Sequence, residues 1–260
     1  MIRTAAIPKV TIIAFAWFIG PLFPAAAMVG GAPAVPAEQA RHLVMIVGSR
    51  GTFCNGAAIA RDLVLTAAHC VAEGAEYKLF ERGADGQPVL RDVARIQRHP
   101  QFSMATLNAH RATADLALLK LAAPLPTHIR PAALAANRAP VSVGESFTVA
   151  GFGVTVRDDG KTSGTARGVT LTATGQPGTL QIRLYDPSTR NERAGLGAYT
   201  GDSGAPVIDP ATRHIVGVVS WSTGAKNSAG CGGLTGVTPL TRYRDWIVNT
   251  ARGLGSPLGN

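Results

Sequence analysis

The stretch TGDSGAPV, residues 200–207, sets a serine between two glycines, beside an acid and just ahead of an apolar run. Taken alone, Gly201-Asp202-Ser203-Gly204 reads as a turn, since glycine opens unusual backbone angles and Asp and Ser favour tight turns. A serine hydroxyl becomes a nucleophile only beside a base that takes its proton, and histidine titrates in the right range for that task. The imidazole in turn needs a carboxylate that fixes its tautomer and stabilises the cation it becomes. The meaning of residues 200–207 therefore depends on what the rest of the chain supplies.

The chain supplies both groups. LTAAHC (65–70) carries His69, and TADLALLKL (113–121) carries Asp115. Apolar residues follow Asp115 almost without a break, so its carboxylate enters a core and needs a partner there. The order along the chain narrows the choice of fold. An α/β-hydrolase uses Gly-x-Ser-x-Gly with a later histidine. Here Ala205 holds the last glycine position, and the only later histidine, His214, lies in an apolar strand run. The subtilisin order begins with Asp, whereas here the order is His69, Asp115, Ser203.

Composition agrees with an all-β chain. Its 260 residues are 46% hydrophobic and 16% charged, which makes it globular and large enough for one large domain or two small ones. Thirty glycines and seventeen prolines favour many short strands joined by turns. Strand-like runs are HLVMIV (42–47), LVLTAA (63–68), YKLFE (77–81), LALLKL (116–121), SFTVAGFG (146–153), LQIRLY (180–185) and HIVGVVSW (214–221). RYRDWIVNTA (242–251) reads as a helix, with Tyr243, Trp246, Ile247 and Thr250 three and four apart. An Ala- and Pro-rich stretch, 122–142, separates two strand sets, and GLGSPLGN (253–260) reads as a flexible tail.

Residues 1–27 read as a signal peptide. Arg3 and Lys9 give the positive start, Val10–Phe23 an apolar run of 14, and Ala25-Ala26-Ala27 a processing site. Such a run is short for a membrane span, so export to a secreted or periplasmic location is favoured over a retained anchor. Cleavage follows Ala27 or, alternatively, a later site such as Ala34. Loss of Arg3 and Lys9 takes the net charge from +9 to +7. No Lys/Arg run interleaved with aromatics points to a nucleic-acid partner. No spacing of ligand residues implies a metal or other cofactor, although a calcium loop stays open. Cys54, Cys70 and Cys231 allow one disulfide and one remaining thiol.

LTAAHC, ADLALLKL and GDSGAP together resemble the histidine, aspartate and nucleophile segments of the trypsin/chymotrypsin-like serine proteases. RHPQF (98–102), Ser220-Trp221-Ser222 and the last helix extend the resemblance from Met28 to about Ala251. It implies two six-stranded antiparallel β-barrels with a C-terminal helix: residues 28–135 with His69 and Asp115, 136–240 with Ser203, and 241–260 as helix and tail. Ser203 would attack the substrate carbonyl, His69 act as base then acid, and Asp115 orient His69. The N–H groups of Gly201 and Ser203 would form the oxyanion hole. Ser220, Trp221 and Ser222 would pair with substrate as an added strand, and Ser220 is expected to hydrogen-bond Asp115. Protein or peptide substrates, and a protein inhibitor, are the implied partners, with no stable membrane anchor after processing.

The resemblance also implies a Cys54–Cys70 disulfide. The cysteine that would pair with Cys231 is replaced by Tyr199, so Cys231 stays a thiol or links two molecules. Gly197 stands where trypsin-like relatives that select Arg and Lys carry Asp. With Ala198, Ser222 and Gly236 also lining the pocket, an uncharged, small to medium apolar residue is favoured. MVGG (28–31) is similar to the activating N-terminus of the family, whose ammonium pairs with the acid beside the nucleophile, here Asp202. Cleavage after Ala27 would then activate the protein as it is exported. A catalytically silent homologue that binds proteins or polyanions is the alternative from another class.

Overall fold

The computed structural model describes Met28 and residues 31–259, apart from 84, 110, 137–140, 155–159 and 175–179. The leader expected at 1–27 lies outside the described residues.

Twelve strands form two closed antiparallel barrels. The first comprises β1 (Leu43–Gly48), β2 (Phe53–Ala60), β3 (Leu63–Thr66), β4 (Tyr77–Arg82), β5 (Pro88–Arg98) and β6 (Ala117–Leu121), in the order β1-β2-β3-β6-β5-β4. The second comprises β7 (Ser146–Gly151), β8 (Arg167–Ala173), β9 (Ile182–Tyr185), β10 (Pro206–Ile208), β11 (Ile215–Ser222) and β12 (Thr235–Pro239), in the order β10-β11-β12-β9-β8-β7. Closure removes the unpaired edges that an open sheet would expose. The expected architecture is therefore the one observed.

Each barrel has its own apolar interior. Ile46, Val64 and Leu119 belong to the buried cluster of the first, while Phe147, Leu171, Ile182, Leu184 and Val237 belong to that of the second. The two ends of the chain cross over. Met28 and Ala32 join the core of the second barrel, and Val35 N–H donates to the Ala166 carbonyl at 3.0 Å. The C-terminal helix, Arg244–Gly253, places Ile247 and Ala251 in the core of the first barrel. His99 packs against Tyr243 and Trp246 of this segment, with ring centroids 4.9 and 4.7 Å away.

The last residues differ from the flexible tail read in the sequence. Leu254 and Leu258 pack on the first core, and Ser256 is buried. The Ser256 hydroxyl donates to Asp62 Oδ1 at 2.6 Å and accepts from Lys120 Nζ at 2.6 Å, while Lys120 also pairs with Asp62. A half-buried charged pair gains from having its remaining polar capacity filled, and the serine fills it. Five strands also escaped the sequence reading. β5 is the plainest case, because Arg91, Asp92 and Arg95 interrupt its apolar residues on both faces of a largely exposed strand.

Candidate active site

His69 sits on a one-turn 3₁₀ helix, Ala68–Val71, directly after β3. Its neighbour Cys70 is bonded to Cys54 on β2, across a sequence separation of 16, which ties this turn back to the barrel. In the chain-entropy account a loop of that size stabilises the fold by about 3 kcal/mol. Cys231 forms no disulfide.

Asp115 precedes β6 and is fully buried. Its Oδ1 accepts the backbone N–H of His69 at 2.9 Å, and its Oδ2 lies 2.7 Å from His69 Nδ1. The Ser220 hydroxyl donates to Oδ2 at 2.5 Å, as the sequence suggests. A carboxylate only accepts, so Nδ1 carries a proton in this bond, and in the neutral ring the lone pair is then on Nε2. Three donors compensate the buried charge and fix the ring.

Ser203 comes from the second barrel and lines the same cleft as His69, together with Phe53, Tyr199, Thr200, Gly201, Ser222 and Gly230. Among the described residues no hydrogen bond reaches the Ser203 hydroxyl. Such contacts are often loose without substrate and tighten when it binds. Gly201 adopts φ of +92° and Gly204 φ of +81°, both in the region that glycine enters without strain. Gly204 is further constrained by space. A Cβ there would lie 2.1 Å from the Asn55 carbonyl oxygen, so only glycine lets this loop rest on β2.

Asp202 is fully buried beside the nucleophile. Burial pushes its carboxyl up from 3.8 to about 7, against the opposing pull of the Tyr199 and Gly153 N–H groups. Those groups donate to its two oxygens at 3.0 Å each. Among the described residues no cation is paired with it. Met28 is fully buried in the apolar cluster that also contains Ala198 and Ala205.

Of the expected specificity residues, Ser222 lines the cleft. Trp221 is paired with Gly236 across β11 and β12. A Cβ on Gly236 would lie 1.9 Å from Trp221 Cε2, so the ring packs against that glycine. Ala198 is buried, with its N–H on Thr235 Oγ1 at 3.1 Å.

Two residues at this site were not singled out from the sequence. Asn55 and Thr66 are both buried and both bond within the nucleophile region or its support. An asparagine inside the small-residue strand FCNGAAIA is the signal that could have exposed the first.

Comparison with known proteins agrees with this geometry. A family model described as Trypsin matches residues 28–247. Trypsin of Phaedon cochleariae is 30% identical over 75% of this chain and 77% of its own length. Transmembrane protease serine 9 of Rattus norvegicus is 28% identical over 89% of this chain, which spans only 23% of that protein. Among solved structures, human heparin binding protein superposes with a TM-score of 0.68 at 24% identity, covering 89% of this chain and all of that one. The chain belongs to the trypsin family of serine proteases. Among the described residues no helix is long and apolar enough to cross a membrane.

Proposed function

We propose that the mature chain is a secreted or periplasmic serine endopeptidase acting through an acyl-enzyme. The Ser203 hydroxyl attacks the scissile carbonyl while His69 Nε2 takes its proton. The N–H groups of Gly201 and Ser203 receive the developing oxyanion. Nε2 then returns the proton to the leaving amine, leaving an ester on Ser203 that water hydrolyses by the same route. Asp115 holds the imidazole and stabilises its cation. The reading is carried by one observation: His69 lines a cleft together with Ser203, and its Nδ1 lies 2.7 Å from the buried carboxylate of Asp115. Peptide and ester substrates offered to the processed protein, with Ser203→Ala as control, test it. Ester turnover without peptide turnover would reduce the activity to that of an esterase.

Activation belongs to the same proposal. Cleavage after Ala27 gives Met28 a free ammonium next to the buried Asp202, and the pair sets the nucleophile loop. The burial of the Met28 side chain supports this route. An uncharged, small to medium apolar side chain is the favoured substrate residue. Gly197, Ala198, Ser222 and Gly236 are the residues proposed to receive it. A protein inhibitor is the further partner proposed.

A second reading is a catalytically silent homologue that binds proteins or polyanions. The net charge, +7 once Arg3 and Lys9 are lost from the +9 of the whole sequence, and the likeness to human heparin binding protein favour it. Absence of any turnover in protein shown to begin at Met28 would select it.

A further inference from the structure

Asn55 grips the nucleophile loop from the opposite barrel. It lies on β2 and is fully buried, and each of its polar groups has a partner. Its backbone N–H donates to the Ser203 carbonyl at 2.7 Å, and its carbonyl accepts the Thr66 hydroxyl at 2.6 Å. Its Nδ2 donates to the Gly201 carbonyl, and its Oδ1 accepts the Phe152 N–H at 3.0 Å. These last two bonds also fix which way the amide faces. Turning it over would set an oxygen against the Gly201 carbonyl and an NH₂ against the Phe152 N–H, losing both.

These bonds constrain the two groups that matter most for an oxyanion. Glycine moves between backbone conformations at little steric cost, so the φ of +92° at Gly201 does not by itself hold its N–H in place. Asn55 ties the carbonyls of both Gly201 and Ser203 to β2, which fixes the Gly201–Asp202 and Ser203–Gly204 peptide planes. These two planes bracket the Asp202–Ser203 peptide that carries the Ser203 N–H, and the first adjoins the peptide that carries the Gly201 N–H. Asp202 ties the same loop to Gly153, next to the Phe152 that Asn55 holds. Among the described residues no acceptor is paired with the N–H of Gly201 or Ser203, and both residues line the cleft. The loop also lacks a covalent tie at Tyr199, where the family resemblance places a cysteine.

We infer that Asn55 is a positioning residue that aims the oxyanion donors through Gly201 without touching substrate. The inference rests on the endopeptidase reading. It is tested with Asn55→Ala and Asn55→Asp in protein that begins at Met28. Each variant is measured for kcat and KM on a peptide, for affinity to a peptidyl boronate, which forms a tetrahedral adduct on Ser203, and for affinity to the product peptide. Deleting an oxyanion donor costs about 100- to 1000-fold in kcat, and a misaimed donor costs less. Asn55→Ala is expected to lower kcat and boronate affinity in parallel, by about 10- to 100-fold, with KM and product affinity within about twofold. Asn55→Asp, which presents an oxygen to the Gly201 carbonyl, is expected to be at least as impaired.

Three results overturn the inference while the wild type remains active. The first is kcat and boronate affinity close to wild type. The second is equal weakening of boronate and product peptide, which marks a general loss of structure. The third is failure of both variants and of the milder Asn55→Ser to fold, since that assigns Asn55 to the barrel and not to the loop. An inactive wild type instead sinks the endopeptidase reading, and this inference with it.

Discussion

Consider a form of the protein in which extra residues precede Met28, so that position 28 carries a peptide nitrogen and no ammonium. Asp202 then stays buried without a cation, and its carboxyl is pushed up from 3.8 to about 7. Between those values the folded protein holds a proton that the unfolded chain has released, so stability falls as pH rises. The slope is about 1.4 kcal/mol per pH unit, and the loss by neutral pH is about 4 kcal/mol, levelling off above pH 7. In the form that begins at Met28 the ammonium compensates the carboxylate, and this loss should vanish. Urea unfolding at intervals from pH 4.5 to 8 measures both curves. The blocked form should be less stable than the mature form by an amount that grows with pH, and Asp202→Asn in the blocked form should flatten its curve. Parallel curves for the blocked and mature forms, or an unchanged slope in Asp202→Asn, would refute the pairing of Met28 with Asp202.

Other consequences are simpler to read. Ser203→Ala and His69→Ala should each lower kcat by on the order of 10⁶, and Asp115→Asn by on the order of 10⁴, all with nearly unchanged melting temperature. Steady-state peptide hydrolysis beside thermal melts checks this, and a loss explained by unfolding would count against it. Replacing Cys54 and Cys70 together by alanine should cost about 3 kcal/mol in denaturant unfolding, and a cost near zero would mean that the loop is held by other contacts. Ser256→Ala removes a hydroxyl bonded to both Asp62 and Lys120. It should cost about 1 kcal/mol and speed proteolysis of the last residues, whereas an unchanged cleavage rate would show the tail to be held by Leu254 and Leu258 alone.

Much of this fold was legible because its chemistry is written in short local segments. His69, Asp115 and Ser203 each lie at the end of a recognisable strand or turn, and their order along the chain selects the two-barrel architecture. Strands with apolar runs, such as 116–121 and 214–221, were equally plain. β5 was hidden because it is largely exposed and Arg and Asp break its apolar run on both faces, and β2 because alanine and glycine carry little strand signal. The docking of the tail depends on one serine meeting an ion pair between the β2–β3 turn and β6, far away along the chain, which no local pattern announces. Counting positions places Gly197 and Gly236 along the chain, but only three dimensions show an indole packed against the second of these glycines. Asn55 was missed because its role lies in its contacts and not in its neighbours.

The central claim is that His69 and Asp115 activate the Ser203 hydroxyl. It is tested most directly by exposing protein that begins at Met28 to a fluorophosphonate and mapping the product by mass spectrometry. The account predicts one phosphonyl group per molecule, on Ser203, and almost none when His69 is replaced by alanine. Folded protein that stays unmodified, or that is modified at another residue while Ser203 remains untouched, would contradict it.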